Sequence, residues 1–249
     1  MLFKRLIPKI VVEKTNVECN SSFSAILTRS FQLHRMIGDP LSQIRIQQSN
    51  LVDEIMLIHR NRSLFNFSFC ELIERISETL NTPLAAGGAI SDLLHVHAIF
   101  NSGADKIVIG RAKSDLKLLD SIASNYGRQS LVVSIDYTDE DLKNGNDKFV
   151  HDELAKGYFE FAGEICLTNV SRDGTGSGID FRLVSLVKDA TDAPIVVSGG
   201  ASNVSHLLRC FQEGCDAVTL STFLSQTDQN IKQIRSHLST MGVHIRTRN

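Results

Sequence analysis

The sequence predicts one (β/α)8 TIM barrel built from two (βα)4 half-barrels, in a single domain of 249 residues. The first observation is the stretch 193–223, in which an apolar run, Ile195–Val197, leads into Gly199 and Gly200, then into apolar residues at helical spacing and a second apolar run. This order is typical of a strand, a glycine turn, a helix and a strand. The second observation is a copy of the pattern at residues 82–110, which a shift of 111 residues aligns without a gap. The third is chain length, since such barrels usually have about 250 residues.

The two copies agree at positions that shape turns and helix ends. The matched pairs are Pro83 with Pro194, Gly88 with Gly199, Ser91 with Ser202, His95 with His206, Gly103 with Gly214, and Asp105 with Asp216. The strand before each copy also repeats, with an offset of 110 residues. A repeat of this length divides the chain into two halves of about four strands and four helices each, which can close on each other as a barrel.

The remaining elements alternate in the same way between apolar strands and amphipathic helices. The predicted strands outside the repeat are Leu6–Val12, Glu54–Ile58, Leu131–Ile135 and Glu164–Thr168. The predicted helices include one starting at Gly38-Asp39-Pro40, one with Leu72, Ile73, Ile76 and Leu80 on its inner face, and Leu116–Ser124, Leu183–Thr191 and Asn230–Met241. The polar segment Glu13–Ser30 is predicted as a loop on the face where such barrels carry their sites. The charged segment Tyr137–His151 is predicted as an excursion or short hairpin, followed by a helix that runs to about Ala162.

Composition limits the classes of function. A net charge of −2 gives no reason to expect binding to nucleic acid or to an anionic membrane, and the chain has no long apolar span. Five cysteines without a CxxC motif indicate reduced thiols in a cytoplasmic protein. His95 and His97 lie two residues apart on a predicted helix and are interpreted as surface residues. No metal site and no cofactor is predicted.

Polar groups gather at the carboxyl ends of the predicted strands. The backbone N–H groups of a glycine turn that opens a helix can bind a phosphate, and the hydroxyls of Ser221 and Thr222 would lie beside the second turn. A purely structural turn is the alternative. Asp136 ends the predicted fifth strand, where barrel catalysts usually lie, although it can also be an N-cap or loop anchor. Asp173 can be interpreted in two ways, as a group for acid–base chemistry or as a turn residue in a glycine-rich loop.

Four predicted strands begin with a charged residue at the opposite face. These residues are Arg5, Glu54, Lys106 and Glu164, called the floor ring below. Side chains alternate along a strand, so Arg5 shares its side with Ile7, Lys9 and Val11. A charge buried at a barrel end needs a partner, and two cations with two carboxylates can neutralise one another. The residues alone leave open whether the floor ring is a structural plug or a gate.

Taken in order, the motifs RLIPKIVV, GDP at 38–40, GGAIS, GADK, RDGT and SGGA resemble the cyclase subunit family of imidazole glycerol phosphate synthase, the HisF family of histidine biosynthesis. The resemblance covers essentially the whole chain. It implies a two-half barrel on whose floor a HisH-like glutaminase docks, sending ammonia through the barrel. It favours a gate at the floor ring. It also implies two phosphate sites, with matching residues Gly87, Gly88 and Gly110 in one half, and Asp173, Gly174, Ser198, Gly199, Gly200, Ser221 and Thr222 in the other.

The sequence departs from the family pattern at the predicted mouth. Of the two catalytic aspartates of the family, Asp136 is present, but the position that ends the first strand is Val11, which cannot transfer a proton. A lysine of the first loop falls at about Cys19. A glycine of the first phosphate turn is Ala89, and an asparagine that ends the fourth strand is Gly110.

These departures resemble a side branch of HisF-like proteins encoded with surface-polysaccharide genes, which are thought to pass ammonia to a separate sugar amidotransferase. The sequence therefore predicts a HisF-type subunit of a glutamine-dependent amidotransferase complex that lacks cyclase competence and binds a phosphorylated small molecule. The alternatives are a cyclase of histidine biosynthesis and a non-catalytic phosphate-binding scaffold.

Lys9 stands where the family has a small residue. Alternation from Arg5 places its side chain inside the barrel, where burial disfavours the charged form. The sequence predicts an ion pair between Lys9 and Asp136. The alternative is that Pro8 shifts the strand register and Lys9 points outward between helices.

Overall fold

The computed structural model describes residues 3–17, 20–61, 64–143 and 148–246. Within these ranges the strands are β1 (Arg5–Val17), β2 (Asn20–Arg29), β3 (Gln32–Gly38), β4 (Ile55–His59), β5 (Leu84–Gly87), β6 (Lys106–Ile109), β7 (Leu131–Tyr137), β8 (Glu164–Asn169), β9 (Ile195–Ser198) and β10 (Ala217–Leu220). The helices are α1 (Pro40–Ser49), α2 (Phe67–Ser77), α3 (Leu93–Asn101), α4 (Leu116–Tyr126), α5 (Lys148–Leu154), α6 (Arg182–Ala190), α7 (Val204–Gln212), α8 (Thr222–Gln226) and α9 (Ile231–Thr240). No helix in these ranges has the length and apolar character needed to cross a membrane.

Eight of the strands form a closed parallel barrel. The order runs β1-β4-β5-β6-β7-β8-β9-β10, and β10 pairs again with β1. Helices follow the strands on the outside, as the alternation of apolar strands and amphipathic helices requires. The predicted (β/α)8 TIM barrel is confirmed.

Alternation along each strand divides the core into two parts. Leu6 and Val12 of β1 belong to the outer core between strands and helices, whereas Ile7 belongs to the inner core. The inner core takes one apolar side chain from each barrel strand: Ile7, Met56, Ala85, Val108, Val132, Cys166, Val196 and Ala217. Pro8 does not interrupt this order, because β1 stays in register with β10 from Arg5 to Pro8.

The 111-residue repeat is also a repeat of structure. Strand β5, helix α3 and strand β6 have counterparts in β9, α7 and β10 with boundaries shifted by that same number. Even single hydrogen bonds recur. Asp105 Oδ2 accepts from the Leu84 N–H at 2.8 Å, and Asp216 Oδ2 accepts from the Ile195 N–H at 3.0 Å.

The described residues of the segment predicted as a polar loop, Glu13–Ser30, are mostly extended strand instead. Strand β1 extends beyond the barrel to Val17 and pairs antiparallel with β2, which pairs antiparallel with β3. The turn between β2 and β3 places Ser30 at φ 48° and Phe31 at φ 63°. Positive φ at both central residues is the geometry of a type I′ turn, which usually contains glycine or asparagine. Because this turn contains neither glycine nor asparagine, the local sequence carries no hairpin signal.

The region after β7 also differs from expectation. Helix α5 begins at Lys148, inside the predicted excursion, and ends at Leu154 rather than near Ala162. A left-handed Gly157 follows, and Tyr158–Glu160 form one turn of 3-10 helix. The predicted turn at Asn144-Gly145 lies outside the described residues.

Candidate functional site

The carboxyl ends of the barrel strands open into a cavity of about 620 Å³, called the mouth cavity below. This volume lies in the range of ligand-binding pockets, about 300–1,000 Å³. Among its described lining residues, Asp136 is the one carboxylate, whereas Lys9, Arg60 and Arg111 are cationic. The mouth cavity therefore favours an anionic ligand.

Val11 and Asp136 line the mouth cavity from opposite sides of the barrel. Val11 is 6% exposed and lies between Ile58 of β4 and Ile26 of β2 in the sheet. Asp136 is half-buried and accepts a hydrogen bond from Ser134 Oγ at 3.2 Å. Among its described lining residues the mouth cavity thus has one carboxylate, with an apolar surface opposite it. Cys19, the other departure in this region, lies outside the described residues.

The first glycine turn, Gly87–Ala89, ends β5 beside the mouth cavity. A Cβ atom on Gly88 would lie 2.7 Å from the carbonyl oxygen of His59, so the close approach of these two segments requires glycine. Ala89 adopts φ 51°, the left-handed region that an L side chain enters at a cost. Gly110 also lines the cavity, and the nearest atom to a Cβ there would be Ser134 Cβ at 4.0 Å. A larger side chain at Gly110 would project into open space.

The second glycine turn, Ser198–Gly200, lies beside a smaller cavity of about 30 Å³. This small cavity is lined by the predicted residues Asp173, Gly174, Ser198, Gly199, Gly200, Ser221 and Thr222, together with Lys9, Gly176, Ala201, Thr219 and Leu220. A Cβ atom on Gly199 would lie 2.6 Å from the carbonyl oxygen of Asn169, which matches the contact of Gly88 with His59 in the other half. The structure therefore brings the predicted residues of the second half together in one place.

The carboxylate of Asp173 is bound to the hairpin formed by β2 and β3. Asp173 Oδ2 accepts from Thr28 Oγ1 at 2.7 Å and from the Phe31 N–H at 3.3 Å, while its carbonyl oxygen accepts from the Ser30 N–H at 3.0 Å. Gly174 lets the two segments approach, because a Cβ atom there would lie 1.9 Å from the Thr28 carbonyl oxygen. These contacts favour the turn interpretation of Asp173 over acid–base chemistry.

Lys9 points into the barrel, as alternation predicts, but the predicted ion pair with Asp136 is wrong. No ion pair joins the two side chains among the described residues, and Lys9 Nζ donates to Ser198 Oγ at 3.2 Å. The nitrogen also lies 5.7 Å from the centroid of the Phe31 ring. The reason is the strand order: β1 and β7 lie on opposite sides of the eight-stranded barrel, whereas β9 is two strands from β1.

An aromatic group forms one wall of the mouth cavity. The rings of Phe65 and His95 stack with centroids 3.9 Å apart, and Phe67 packs edge-on against both. His95 is therefore half-buried in this wall, not a surface residue as predicted, while His97 is exposed. The misinterpretation arose because the stacking partner, Phe65, lies in another βα loop.

A buried histidine lies behind this wall. His59 ends β4, stacks on Phe69 with ring centroids 5.4 Å apart, and meets the edge of Phe23 at 5.5 Å. Burial lowers the pKa of His59 to about 4. Its Nδ1 is buried and has no hydrogen-bond partner among the described residues. The neutral form is thus the one compatible with the packed site.

The floor ring is closed by four contacts in alternating charge order. Arg5 Nη1 lies 2.7 Å from Glu54 Oε2 and 3.0 Å from Glu164 Oε1, and Lys106 Nζ lies 2.8 Å and 2.7 Å from the same two oxygens. Two residues further along each strand are Ile7, Met56, Val108 and Cys166 of the inner core. The charges therefore form one layer across the barrel, directly below an apolar layer.

The two carboxyl groups of the floor ring differ in electrostatics. Burial, reinforced by repulsion from Glu164, raises the pKa of Glu54 despite the two cations, and Glu54 Oε1 is buried without a hydrogen-bond partner in the described chain. Burial also acts on Glu164, but attraction to Arg5 and Lys106 outweighs it and lowers the pKa of that group. The negative charge of the floor ring is thus held most firmly on Glu164.

Sequence reasoning missed the residues that the hairpin and the βα loops bring to the mouth. Thr28, Phe31, Phe65 and Phe67 line the mouth cavity, although their local sequence carries no motif. The one signal that could have indicated this wall is the spacing of Phe65 and Phe67, two residues apart where the loop after β4 meets α2. The contacts of Phe31 depend on the type I′ turn and had no sequence signal.

The class of protein is therefore a (β/α)8 barrel made of two equivalent half-barrels, with a glycine turn in each half and a floor ring of four charges. Its polar site lies at the mouth. The chain belongs to the family described as histidine biosynthesis protein, whose model matches residues 18–229, and it is HisF-like. It is 32% identical to a putative imidazole glycerol phosphate synthase subunit hisF2 of Prochlorococcus marinus (strain MIT 9313), over 99% of each chain. It is 31% identical to imidazole glycerol phosphate synthase subunit HisF of Chlorobium chlorochromatii (strain CaD3), over 99% of this chain and 100% of the relative. The resemblance seen in the motifs is confirmed.

Proposed function

We propose that this chain is the barrel subunit of a glutamine-dependent amidotransferase complex. A HisH-like glutaminase binds the floor and supplies ammonia, the floor ring acts as the gate, and the mouth binds a phosphorylated ligand. The acceptor of the ammonia is a sugar precursor of a surface polysaccharide, aminated by a separate amidotransferase. The protein works in the cytoplasm.

The observation that carries this proposal is the contrast between the two ends of the barrel. The floor ring is complete, with four contacts between 2.7 and 3.0 Å. At the mouth, Val11 stands opposite Asp136, so one of the two proton-transfer groups implied by the family resemblance is missing. A chain that keeps its floor and loses half of its acid–base pair fits ammonia delivery better than ring-forming chemistry.

A second candidate is the cyclase of imidazole glycerol phosphate synthase in histidine biosynthesis. The names of the relatives favour it, and Asp136 lines a cavity of suitable volume. The third candidate, a non-catalytic phosphate-binding scaffold, would keep the glycine turns but has no use for the floor ring.

The deciding experiment gives the purified protein the cyclase substrate with an ammonium salt and measures product formation. We expect no turnover, or turnover far below the roughly 1 per second usual for enzymes, because losing one proton-transfer group costs about 10²–10⁴-fold. A HisF relative assayed in parallel is the positive control. Val11→Asp is not expected to restore turnover, since Cys19 and Gly110 also depart from the family pattern.

Turnover of the unmodified protein at about 1 per second or faster would establish the cyclase instead. A binding assay with a HisH-like glutaminase separates the remaining two candidates. Binding that stimulates glutaminase activity supports the amidotransferase subunit, and absence of any binding supports the scaffold.

A further inference from the structure

Lys9 is the residue that the mouth cavity and the small cavity share among their described lining residues. Its nitrogen lies 3.2 Å from Ser198 Oγ, at the start of the second glycine turn, and above the face of Phe31. An ammonium at this position faces two spaces that a ligand can enter. Its side-chain contacts with the described part of the chain are a neutral hydroxyl and an aromatic ring, neither of which neutralises its charge.

The charges around Lys9 leave it able to bind an anion. Arg60 is paired with Glu13, and Asp173 is bound to Thr28 and Phe31 of the hairpin. Asp136 has Ser134 as a hydrogen-bond donor and makes no ion pair with Lys9 within the described chain. The second glycine turn beside Lys9 has Gly199 at φ 95° and Gly200 at φ 91°, and the successive backbone N–H groups of such a turn can form a concavity that binds an anion.

We infer that Lys9 is a ligand-binding residue of the mouth: its ammonium binds the phosphoryl group of a phosphomonoester held at the second glycine turn, with the organic part of the ligand in the mouth cavity. The inference rests on the proposed function, because it concerns the same phosphorylated ligand. It adds a charged side chain to a turn that otherwise offers backbone N–H groups and hydroxyls. It also assigns an orientation to the ligand. The phosphoryl group lies at Ser198–Gly200, and the organic part extends toward Phe31 and the aromatic wall.

The competing explanation is structural. The contact between Lys9 and the Phe31 ring could simply hold the hairpin in place, in which case Lys9 closes the passage between the two cavities. The two explanations differ in the expected effect of removing the charge of Lys9. Direct binding predicts a weaker affinity for phosphate, whereas a structural role predicts a less firmly held hairpin of β2 and β3.

The test measures binding of inorganic phosphate and of glycerol 3-phosphate by calorimetry at low salt. Lys9→Met, which keeps the length of the side chain but not its charge, is expected to weaken both affinities at least about 10-fold, the usual effect of losing a hydrogen bond to a charged group. Lys9→Arg should retain most of the affinity. Lys143→Met is the matched control, because Lys143 is exposed, is paired with Glu140 and is not among the described lining residues of either cavity.

Unchanged affinity in Lys9→Met overturns the inference and leaves the phosphorylated ligand of the proposed function intact. Failure of the unmodified protein to bind either probe overturns both. Tryptic cleavage after the exposed Arg29 monitors the hairpin. An affinity loss with unchanged cleavage supports direct binding. A loss that comes with faster cleavage, and that the hairpin-loosening substitution Leu27→Ala reproduces, assigns Lys9 to the structural role, because Leu27 is buried in β2 and lines neither cavity.

Discussion

Single residues decide what the mouth can do. The family pattern implied by the motifs has an aspartate at position 11 and a small neutral residue at position 9. Relative to that pattern, Val11 lacks a carboxylate and Lys9 adds an ammonium, so these two positions change the charge of the site by two units in the positive direction. Asp136 remains as the carboxylate of the described lining. The side chains at these positions therefore favour binding of an anion over acid–base chemistry that needs two proton-transfer groups.

His59 makes a prediction at the same scale. Its pKa is about 4 in the folded protein, against 6.5 for an unperturbed histidine, because burial disfavours the charged form. Between these two pH values the unfolded chain binds a proton that the folded chain does not, so the free energy of unfolding falls as pH falls through this window. The full shift of about 2.5 pKa units corresponds to about 3.5 kcal/mol at about 1.4 kcal/mol per unit, and about 3 kcal/mol of this should be lost between pH 7 and pH 4.

The control is His59→Phe, which fits the cluster with Phe23 and Phe69 and removes a buried nitrogen without a described partner. Urea unfolding from pH 7 to pH 4 should show the unmodified protein losing stability relative to this variant. Parallel curves for the two proteins would mean that His59 keeps its ordinary pKa in the fold.

At the scale of elements, the hairpin of β2 and β3 is the part of the molecule that completes the mouth. It is held at its turn by Asp173 and at its strand by the close approach of Thr28 to Gly174. A turn with Ser30 and Phe31 at positive φ costs free energy, about 1–3 kcal/mol for each strained residue, and persists only where other contacts stabilise it. The docking of the hairpin on the loop after β8 provides those contacts.

Gly174→Ala tests this docking. Gly174 has φ 70°, and its Cβ would lie 1.9 Å from the Thr28 carbonyl oxygen, so the hairpin must move. Gly157→Ala is a matched control, because Gly157 has φ 74° but its nearest atom would be 3.6 Å away. Both variants bear the left-handed strain of about 1 kcal/mol, and Gly174→Ala should lose a further 1–3 kcal/mol of unfolding free energy and be cleaved faster by trypsin after Arg29. Equal effects of the two substitutions would show that the hairpin does not depend on Gly174.

At the scale of the whole molecule, the two half-barrels are alike at the floor and different at the mouth. The floor is symmetric in its hydrogen bonds, with Asp105 and Asp216 accepting from the first residues of β5 and β9. The mouth is asymmetric, because the hairpin and the loop Ser171–Gly178 lie over the second half and the open cavity lies over the first. Such an arrangement fits the proposed function, in which the partner docks on the floor and the ligand binds at the mouth.

The proposed docking of a glutaminase on the floor can be tested at Asp105. This carboxylate is exposed but also accepts from the Leu84 N–H, so a charge reversal would alter the strand start as well as the surface. Asp105→Asn keeps an acceptor oxygen and removes the charge, and should weaken binding of a HisH-like glutaminase by an amount that decreases with salt. The matched mouth variant is Thr175→Ala, in the exposed part of the loop Ser171–Gly178, which should leave binding unchanged. The reverse pattern would place the partner on the mouth face.

The sequence by itself determined the barrel, its two halves, the floor ring and the glycine turns, because each of these follows from local patterns. Alternation along β1 fixes that Arg5, Ile7, Lys9 and Val11 face inward, and a repeat at constant offset fixes which turns are equivalent. Only the tertiary structure decided which groups meet at the mouth. Lys9 contacts Ser198 rather than Asp136, and Asp173 binds the hairpin, because these contacts depend on distances across the barrel and on a type I′ turn without glycine. Neither is encoded in the spacing of residues along the chain.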